Sequence, residues 1–533
     1  MFDILIRGGS VLDGTRAPRF RADIGLRGDR IADVGDLKGA VARQTFDADG
    51  LCVAPGFIDV HNHSDGWLLK RPQLVAKTSQ GFTTEVIAAD GISYAPVNEH
   101  TAAAWMFYLR SLNGLRIDEY RGWRSLSDYL DAIAGRNVQN VAAHLPYANI
   151  RSLVCGWGRA AVDDFQMRQI RYEVQRGMDE GAVGISTGLD YISQCFATTE
   201  ELVEACSEMA PYGGLYVTHM RYKKSLLPAL REAVAIGRKA GVPVHVSHLK
   251  GSSPAEVEQV LEFVDHVARR EVDFTFDVYP YQPGSTMLNF LLPYEVWEDG
   301  PLAVIDKLQH PSVRARVAAG FEACRIDWDR VHIAWVASKE NTEHQGKTIR
   351  QFVADRGVPL VDALCDLLIE ERLAVLCVVD GGDDSWVRPM LQHDLYMMGS
   401  DGIYFDDAVV HPRLYGSAGR LLGPCVRDWR LFTLEEAVYK LSGFAARRFG
   451  LADRGIVRAG ACADVVVFDP QQVTDRATLK KPAQLTEGLR AVFVNGVLIF
   501  RDGQPMALPP GPLPGRHLRR TSETSTSERS GET

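Results

Sequence analysis

Two histidines stand two apart in "PGFIDVHNHSD", residues 55–65, after a run of apolar and small residues. His61 and His63 close a short β-run, and positions i and i+2 of a strand share a face. Two imidazoles presented together are half of a divalent metal site. Matching residues stand at the ends of other β-runs. His219 closes "LYVTHM", His248 closes "VPVHVSHL", and Asp401 closes "LYMMGSD" with Gly402 behind it. Four histidines and an aspartate suit Zn2+, or another divalent ion, by donor type. A metal of that kind makes water nucleophilic near neutral pH, so the chemistry expected is hydrolysis. A lone histidine at a strand end is ordinary polar surface; the whole set in one array carries the reading. His245, three before His248, faces the other side of its strand and reads as structural. His144 ends "NVAAHL" and is a weaker candidate. No G-x-S-x-G elbow supports a serine nucleophile.

These residues need a scaffold that brings strand ends together. Between about 57 and 450, short β-runs alternate with helical stretches. The runs include "GFIDVHNH", "TTEVIAA", "AVGIST", "FTFDVYPY" and "VHIAWV". Met167, Ile170, Val174 and Met178 recur at helical spacing, and Ser253-Pro254-Ala255-Glu256 is a helix-start signal. Repeated β-α-β over this length predicts an α/β fold with a parallel sheet. A (β/α)8 TIM-like barrel fits, with its site at the strands' C-terminal ends. A doubly wound open sheet is the alternative, without the G-x-G-x-x-G of dinucleotide binders. The aromatic stretch 100–135 reads as an insertion near the active face.

Both chain ends have a different texture, with alternating strands broken by Gly and Asp. Asn495-Gly496 between two apolar runs is a hairpin signal. The expected division is 1–56 as the N-terminal part of a small β-sandwich, 57–450 as the barrel and 451–508 as the C-terminal part of the sandwich. Residues 509–533, Pro/Gly- then Ser/Thr-rich, read as a disordered tail. The formal charge of −9 over 533 residues gives no electrostatic case for nucleic acid or an anionic membrane. No apolar run reaches the length of a membrane span. The cysteines are odd in number with no C-x-x-C pair, which favours free thiols and a cytoplasmic setting.

Several blocks carry a resemblance: "APGFIDVHNHSD", "SQGFTTEV", "GAVGISTGLDY", "YVTHMR", "VSHLKG", "YPYQPGST", "GSDG", "HPRLYG" and "GLADRGIVRAGACADVVVFDP". Over about residues 1–500 the chain resembles the N-acyl-D-amino-acid deacylases (D-aminoacylases) of the amidohydrolase superfamily. The resemblance implies a metal-dependent hydrolase barrel with a β-sandwich made from both ends. It implies cleavage of N-acyl-D-amino acids to a carboxylate and a D-amino acid. The alternative is another C–N bond: a cyclic amide, a carbamoyl group or a dipeptide. Carried over, it puts His61, His63 and Asp401 around one metal position and His219 and His248 around the other. Asp401 would also shuttle the proton, and one or two zinc ions would be bound. Lys250, Tyr279, Ser285 and Arg413 match positions that hold the carboxylate of a small-molecule substrate.

The chain departs from that family at one place. The best-known members have a metal-ligating Cys where "TTEVIAADGISYAP" has Asp90. A carboxylate bridges two metals through two oxygens and is a harder ligand than thiolate. The other reading of Asp90 is a turn residue before Gly91.

Overall fold

The computed structural model describes residues 1–324, 326–508 and 510–520. The chain opens with β1 (Phe2–Val11), β2 (Phe20–Arg27), β3 (Arg30–Gly35), β4 (Ala42–Asp47) and β5 (Cys52–Pro55). It then runs through β6 (Phe57–Asp59), β7 (Phe82–Ile87), β8 (Asn140–Ala143), β9 (Leu145–Pro146), β10 (Gly184–Gly188), β11 (Leu215–His219), β12 (Val244–Val246) and β13 (Phe274–Val278). An excursion follows: β14 (Gly284–Met287), β15 (Val331–Val336) and β16 (Val375–Val379). The chain returns at β17 (Tyr396–Met398) and ends with β18 (Val465–Phe468), β19 (Leu489–Val494), β20 (Val497–Arg501) and β21 (Gln504–Pro505).

β8 and β9 are separated by His144 alone and act as one broken strand. With them, β6, β7, β10 to β13 and β17 make an eight-stranded parallel barrel. The alternative of an open doubly wound sheet is not what forms. One ladder runs β17-β13-β12-β11-β10-β9 and another β6-β7-β8. No ladder joins β6 to β17 among the described residues. That seam is closed beyond the strand ends by an isolated bridge, Asn62 to Gly402. Asp401 N donates to His61 O at 2.7 Å and His63 N to Gly402 O at 3.0 Å. The first and last candidate ligands therefore lie on the seam itself.

The helices form where the sequence signals them. Asp163 caps the helix Asp164–Asp179 by accepting from Gln166 N, and Met167, Ile170, Val174 and Met178 are its buried side. Ser253 caps Pro254–Phe263, and Gly241 ends Leu226–Ala240 at φ 71°. Ile58, Val86, Val183, Val217 and Met397 pack with Phe444 and Phe449 in one buried cluster. The barrel is thus filled at one end, and the site is confined to the other.

The two chain ends share one nine-stranded sheet, with β18 beside β5 and β5 beside β1. The sheet folds back on itself. Edge strand β3 meets the approach to β18, with Ile31 N donating to Ala461 O at 2.9 Å and Gly460 N to Ile31 O at 2.8 Å. Ile6, Ile24, Val53, Val465 and Phe493 are buried inside that fold. Asn495 (φ 47°) and Gly496 (φ 79°) make the β19–β20 turn, as an Asn-Gly hairpin requires.

Two sequence expectations need correcting. "VHIAWV" is not a barrel strand. As β15 it pairs antiparallel with β16, which pairs antiparallel with β14. A short apolar run looks alike in either sheet, because its neighbours decide its place. The stretch 510–520 is also not a disordered tail. Leu513 N donates to Gly135 O (2.7 Å), Gly515 N to Asn137 O (3.0 Å) and Leu518 N to Val141 O (2.7 Å), so this stretch lies along β8. Exposed backbone groups beside β8 gave a Pro/Gly segment partners that its composition does not announce. Residues 521–533 of that expectation lie outside the described residues. Among the described residues, no helix is long and apolar enough to cross a membrane.

Candidate metal centre

His61, His63, Asp90, His219, His248 and Asp401 converge at the strands' C-terminal ends. Their donor atoms form three overlapping sets, each within 4.8 Å: His61, His63 and Asp90; Asp90, His219 and His248; and His61, His248 and Asp401. Asp90 belongs to the first two. Its Oδ1 lies 3.5 Å from His61 Nε2 and 3.8 Å from His248 Nε2. Its Oδ2 lies 3.7 Å from His63 Nε2 and 3.9 Å from His219 Nδ1. Asp401 Oδ1 is 3.3 Å from His63 Nε2 and 3.7 Å from His61 Nε2. His144 enters none of these sets. It is buried against Phe449, and burial pushes its pKa down to about 3.

Backbone strain aims several of these residues. Asp90 (φ 56°), His248 (φ 37°) and Asp401 (φ 48°) all occupy the left-handed region. Side chains rarely adopt it outside turns and functional sites. Asp90 is therefore a turn residue before Gly91 and also points into the cluster. Its turn is held from β10 and the loop behind it. Ser186 Oγ donates to Ala88 O at 2.6 Å, Gly91 N donates to Ser186 Oγ at 3.1 Å, and Gln194 Nε2 donates to Asp90 O at 2.9 Å. Gly188 permits this approach, since a Cβ there would lie 2.2 Å from Asp90 O.

A second layer of carboxylates orients the histidines, and none of it was read from the sequence. Asp277 Oδ2 lies 3.5 Å from His61 Nδ1 and 2.9 Å from His245 Nε2, while its Oδ1 accepts from His248 N at 2.9 Å. His245 is structural in this sense: it fixes Asp277. Asp190 Oδ2 is 3.4 Å from His219 Nε2 and accepts from Lys223 N at 3.0 Å. Fixing one ring nitrogen leaves the other free to ligate. The available signal was Asp277 two before Tyr279, on the inward parity of "FTFDVYPY".

The cluster floors a cavity of about 390 Å³, lined also by Lys250, Tyr279, Ser285 and Arg413. Lys250 Nζ is 2.7 Å from Tyr279 OH and 4.3 Å above its ring. Burial and the neighbouring Arg413 push Lys250 down to about 7. Arg413 also lies over the Tyr279 ring, 4.4 Å from its centroid, and its Nη1 is 2.8 Å from Asp401 Oδ2. Burial alone would raise the Asp401 carboxyl; Arg413, His63 and His61 outweigh it and hold it well below the carboxylate range. Ser285 lines the cavity, but its hydroxyl donates to Cys377 O at 2.8 Å and its carbonyl accepts from Arg413 at 3.1 Å. It positions Arg413 through its main chain. The excursion after β13 supplies Ser285, Phe290, Val379 and Trp386 to this wall, and Leu112 reaches it from the 100–135 insertion.

The residues present fit a divalent metal. His61 Nε2 and Asp90 Oδ1, which face each other in the cluster, are buried without a hydrogen-bond partner. Such atoms are costly unless a cation satisfies them. Fold and donor set together define a metal-binding α/β-barrel hydrolase site. Comparison with known proteins agrees: residues 44–320 and 379–500 match the amidohydrolase family, and the chain belongs to it. The unmatched interval falls within the excursion that carries β15 and β16. The chain is 37% identical to a D-aminoacylase of Alcaligenes xylosoxydans xylosoxydans, over 94% of this chain and 95% of that one. It is 36% identical to an N-acyl-D-glutamate deacylase of the same organism, over 97% and 96%. Among solved structures, it superposes with TM-score 0.81 on the N-acyl-D-glutamate deacylase of Bordetella bronchiseptica, at 33% identity over 97% and 99% of the two chains. That enzyme was solved with zinc and a phosphonate mimic of the tetrahedral intermediate.

Proposed function

We propose that this chain hydrolyses N-acyl-D-amino acids, using one or two zinc ions. The observation that carries the reading is the shared cavity: a ligand cluster bridged by Asp90 at its floor, and Lys250, Tyr279 and Arg413 on one wall. His61, His63 and Asp90 would hold one ion, and His219, His248 and Asp90 a second, with Asp401 beside the first. When bound, zinc supplies Lewis acidity, polarising a carbonyl and making water a nucleophile at neutral pH. Lys250 and Arg413 hold the α-carboxylate by charge-assisted hydrogen bonds. That fixes the acyl carbon over the floor of the cavity. Asp401 is kept ionised by Arg413, so it accepts the proton of the attacking water. It returns that proton to the nitrogen as the C–N bond breaks, so the amine leaves neutral. The D-configuration is supported by the three named relatives. The free thiols of the described cysteines support a cytoplasmic setting.

The test is zinc content by mass spectrometry on the purified protein, beside a panel of N-acetyl-D- and L-amino acids. Bound zinc with D-selective release of acetate is the expected result. Zinc without such turnover would instead favour the cyclic-amide, carbamoyl or dipeptide reading.

The cavity wall also sets a side-chain preference. Among the described lining residues, Lys250 and Arg413 are the only Lys or Arg, and both are assigned to the α-carboxylate. Leu112, Tyr191, Phe290 and Trp386 face the remaining space. A second carboxylate there would be partly desolvated with no Lys or Arg left among those lining residues to pair with it, at a few kcal/mol by general experience. N-acetyl-D-leucine or -phenylalanine should therefore exceed N-acetyl-D-glutamate in kcat/KM by roughly 10²-fold. Equal values would remove the argument from the wall.

The carboxylate assignment predicts a binding defect in Lys250→Met. KM for the N-acetyl-D-amino acid should rise roughly 10- to 100-fold, the worth of a hydrogen bond to a charged group. The matching carboxamide, which lacks the charge, should be unaffected. A carboxamide hit equally hard would move Lys250 out of the clamp.

A further inference from the structure

Beneath the centre lies a buried polar knot that the mechanism above does not use. Lys77 belongs to the short helix Val75–Thr78, ahead of β7. Lys77, Asp59 and Ser400 are all 0% exposed. Lys77 Nζ is 2.5 Å from Asp59 Oδ2 and 2.5 Å from Ser400 Oγ. Ser400 Oγ donates to Asp59 Oδ2 at 2.5 Å, and Ser400 N to Asp59 Oδ1 at 2.8 Å. His61 N reaches the same Oδ1 at 3.4 Å. The carboxylate of Asp59 is thus met from the helix, from its own strand and from the end of β17.

We infer that Lys77 is a positioning residue, which with Asp59 and Ser400 fixes the spacing between the His61–His63 segment and Asp401. The seam makes this necessary. β6 and β17 share no ladder, so backbone pairing over several residues does not set their relative height. What joins them is the bridge at Asn62–Gly402, and the knot sits directly under it. Gly402 is shaped for this, since a Cβ there would lie 2.8 Å from Lys77 Nζ and 2.9 Å from Ser400 Oγ. A slip of the seam would move His61 and His63 against Asp401, whose donor atoms now stand 3.7 and 3.3 Å apart. Stability alone is a poor reason for the knot. Buried ion pairs replaced by apolar residues of similar volume are often neutral or stabilising. The residues on which the inference bears are the centre's ligands, so it rests on the metal-centre reading.

The test is the paired variant Asp59→Leu/Lys77→Met, compared with the parent for thermal melting, zinc affinity by chelator competition, and kcat and KM. The expected result is a melting temperature close to the parent, with zinc bound about 10- to 100-fold more weakly, the usual effect of losing an outer-layer partner. Among loaded enzymes, kcat should fall while KM holds. Zinc affinity and kcat within about threefold of the parent, in a folded variant, overturn the inference. If the pair does not fold, Ser400→Ala keeps the ion pair and removes the hydroxyl bonds from Lys77 and to Asp59 that tie it to the end of β17, leaving Ser400 N on Asp59 Oδ1 as the remaining tie. Weaker zinc binding there supports the inference, and unchanged binding overturns it. A parent that binds no zinc overturns the centre itself and this inference with it.

Discussion

Asp401→Asn should bind zinc, melt near the parent temperature and lose nearly all turnover. Asparagine keeps the shape of the side chain and one carbonyl oxygen, but it cannot take a proton. The oxygen that faces the histidines, 3.3 Å from His63 Nε2, can still be an oxygen in the variant. The oxygen 2.8 Å from Arg413 is replaced by an amide nitrogen if the first is kept, and donor then faces donor. The fold tolerates this locally, because Asp401 N to His61 O and the bridge at Gly402 are main-chain bonds. The chemistry does not tolerate it. A positioned acid–base group is worth roughly 10²–10⁴-fold, or about 3–5 kcal/mol of barrier. Here one group serves both proton transfers, so the loss should lie at the upper end. KM should change far less than kcat, since Lys250 and Tyr279 are untouched and only Arg413 of the clamp loses its partner. The measurement is kcat and KM on zinc-loaded protein, with metal content checked on the same sample. Turnover within a few-fold of the parent would take the proton shuttle away from Asp401.

The histidines were legible because the barrel reads in one direction. A β-run in a β-α-β array has a known end where chemistry collects, and His219, His248 and Asp401 each stood at one. Lys250 and Arg413 were reached through the family resemblance, with their closeness in sequence to such an end in support. Asp277 carried a faint signal, its place two before Tyr279; Asp190, Asp59 and Lys77 carried none. Each acts through a partner far away in sequence, and nothing local separates them from ordinary strand or helix acids and lysines. The excursion after β13 was hidden for another reason. Its strands have the local pattern of barrel strands, and only their antiparallel partners set them apart. Yet this excursion builds the cavity wall that faces the ligands, so the sequence spoke more clearly about the reaction than about its substrate. Ser285 illustrates the difference. Its position was marked, while its hydroxyl points to Cys377 O and its contribution runs through its carbonyl.

Asp90→Ala should empty the centre further than the loss of any one histidine. Each histidine appears in one or two of the three donor sets, but Asp90 is the only residue common to the two sets that include His63 and His219. Both its oxygens face histidines, and four imidazoles hold its carboxyl below the usual range against the effect of burial. Removing it leaves those imidazoles with Asp401 as the remaining acid among the candidate ligands. Zinc content should fall sharply, and kcat/KM by roughly 10²-fold or more, since ligand loss exceeds the 10- to 100-fold typical of outer-layer changes. Asp90→Cys then asks what kind of ligand the turn requires. Thiolate is softer than carboxylate and prefers zinc to harder ions. It also presents one donor atom in place of two. A Cys variant that recovers zinc and turnover would mean that the turn, with its left-handed backbone and its tether to Gln194, delivers any anionic donor to the bridge. In that case the substitution changes metal preference, and cobalt- or manganese-loaded parent should outperform the same loading of the variant. Zinc content unchanged in the Ala variant would make Asp90 a turn residue alone and leave the two histidine pairs to bind metal without a bridge.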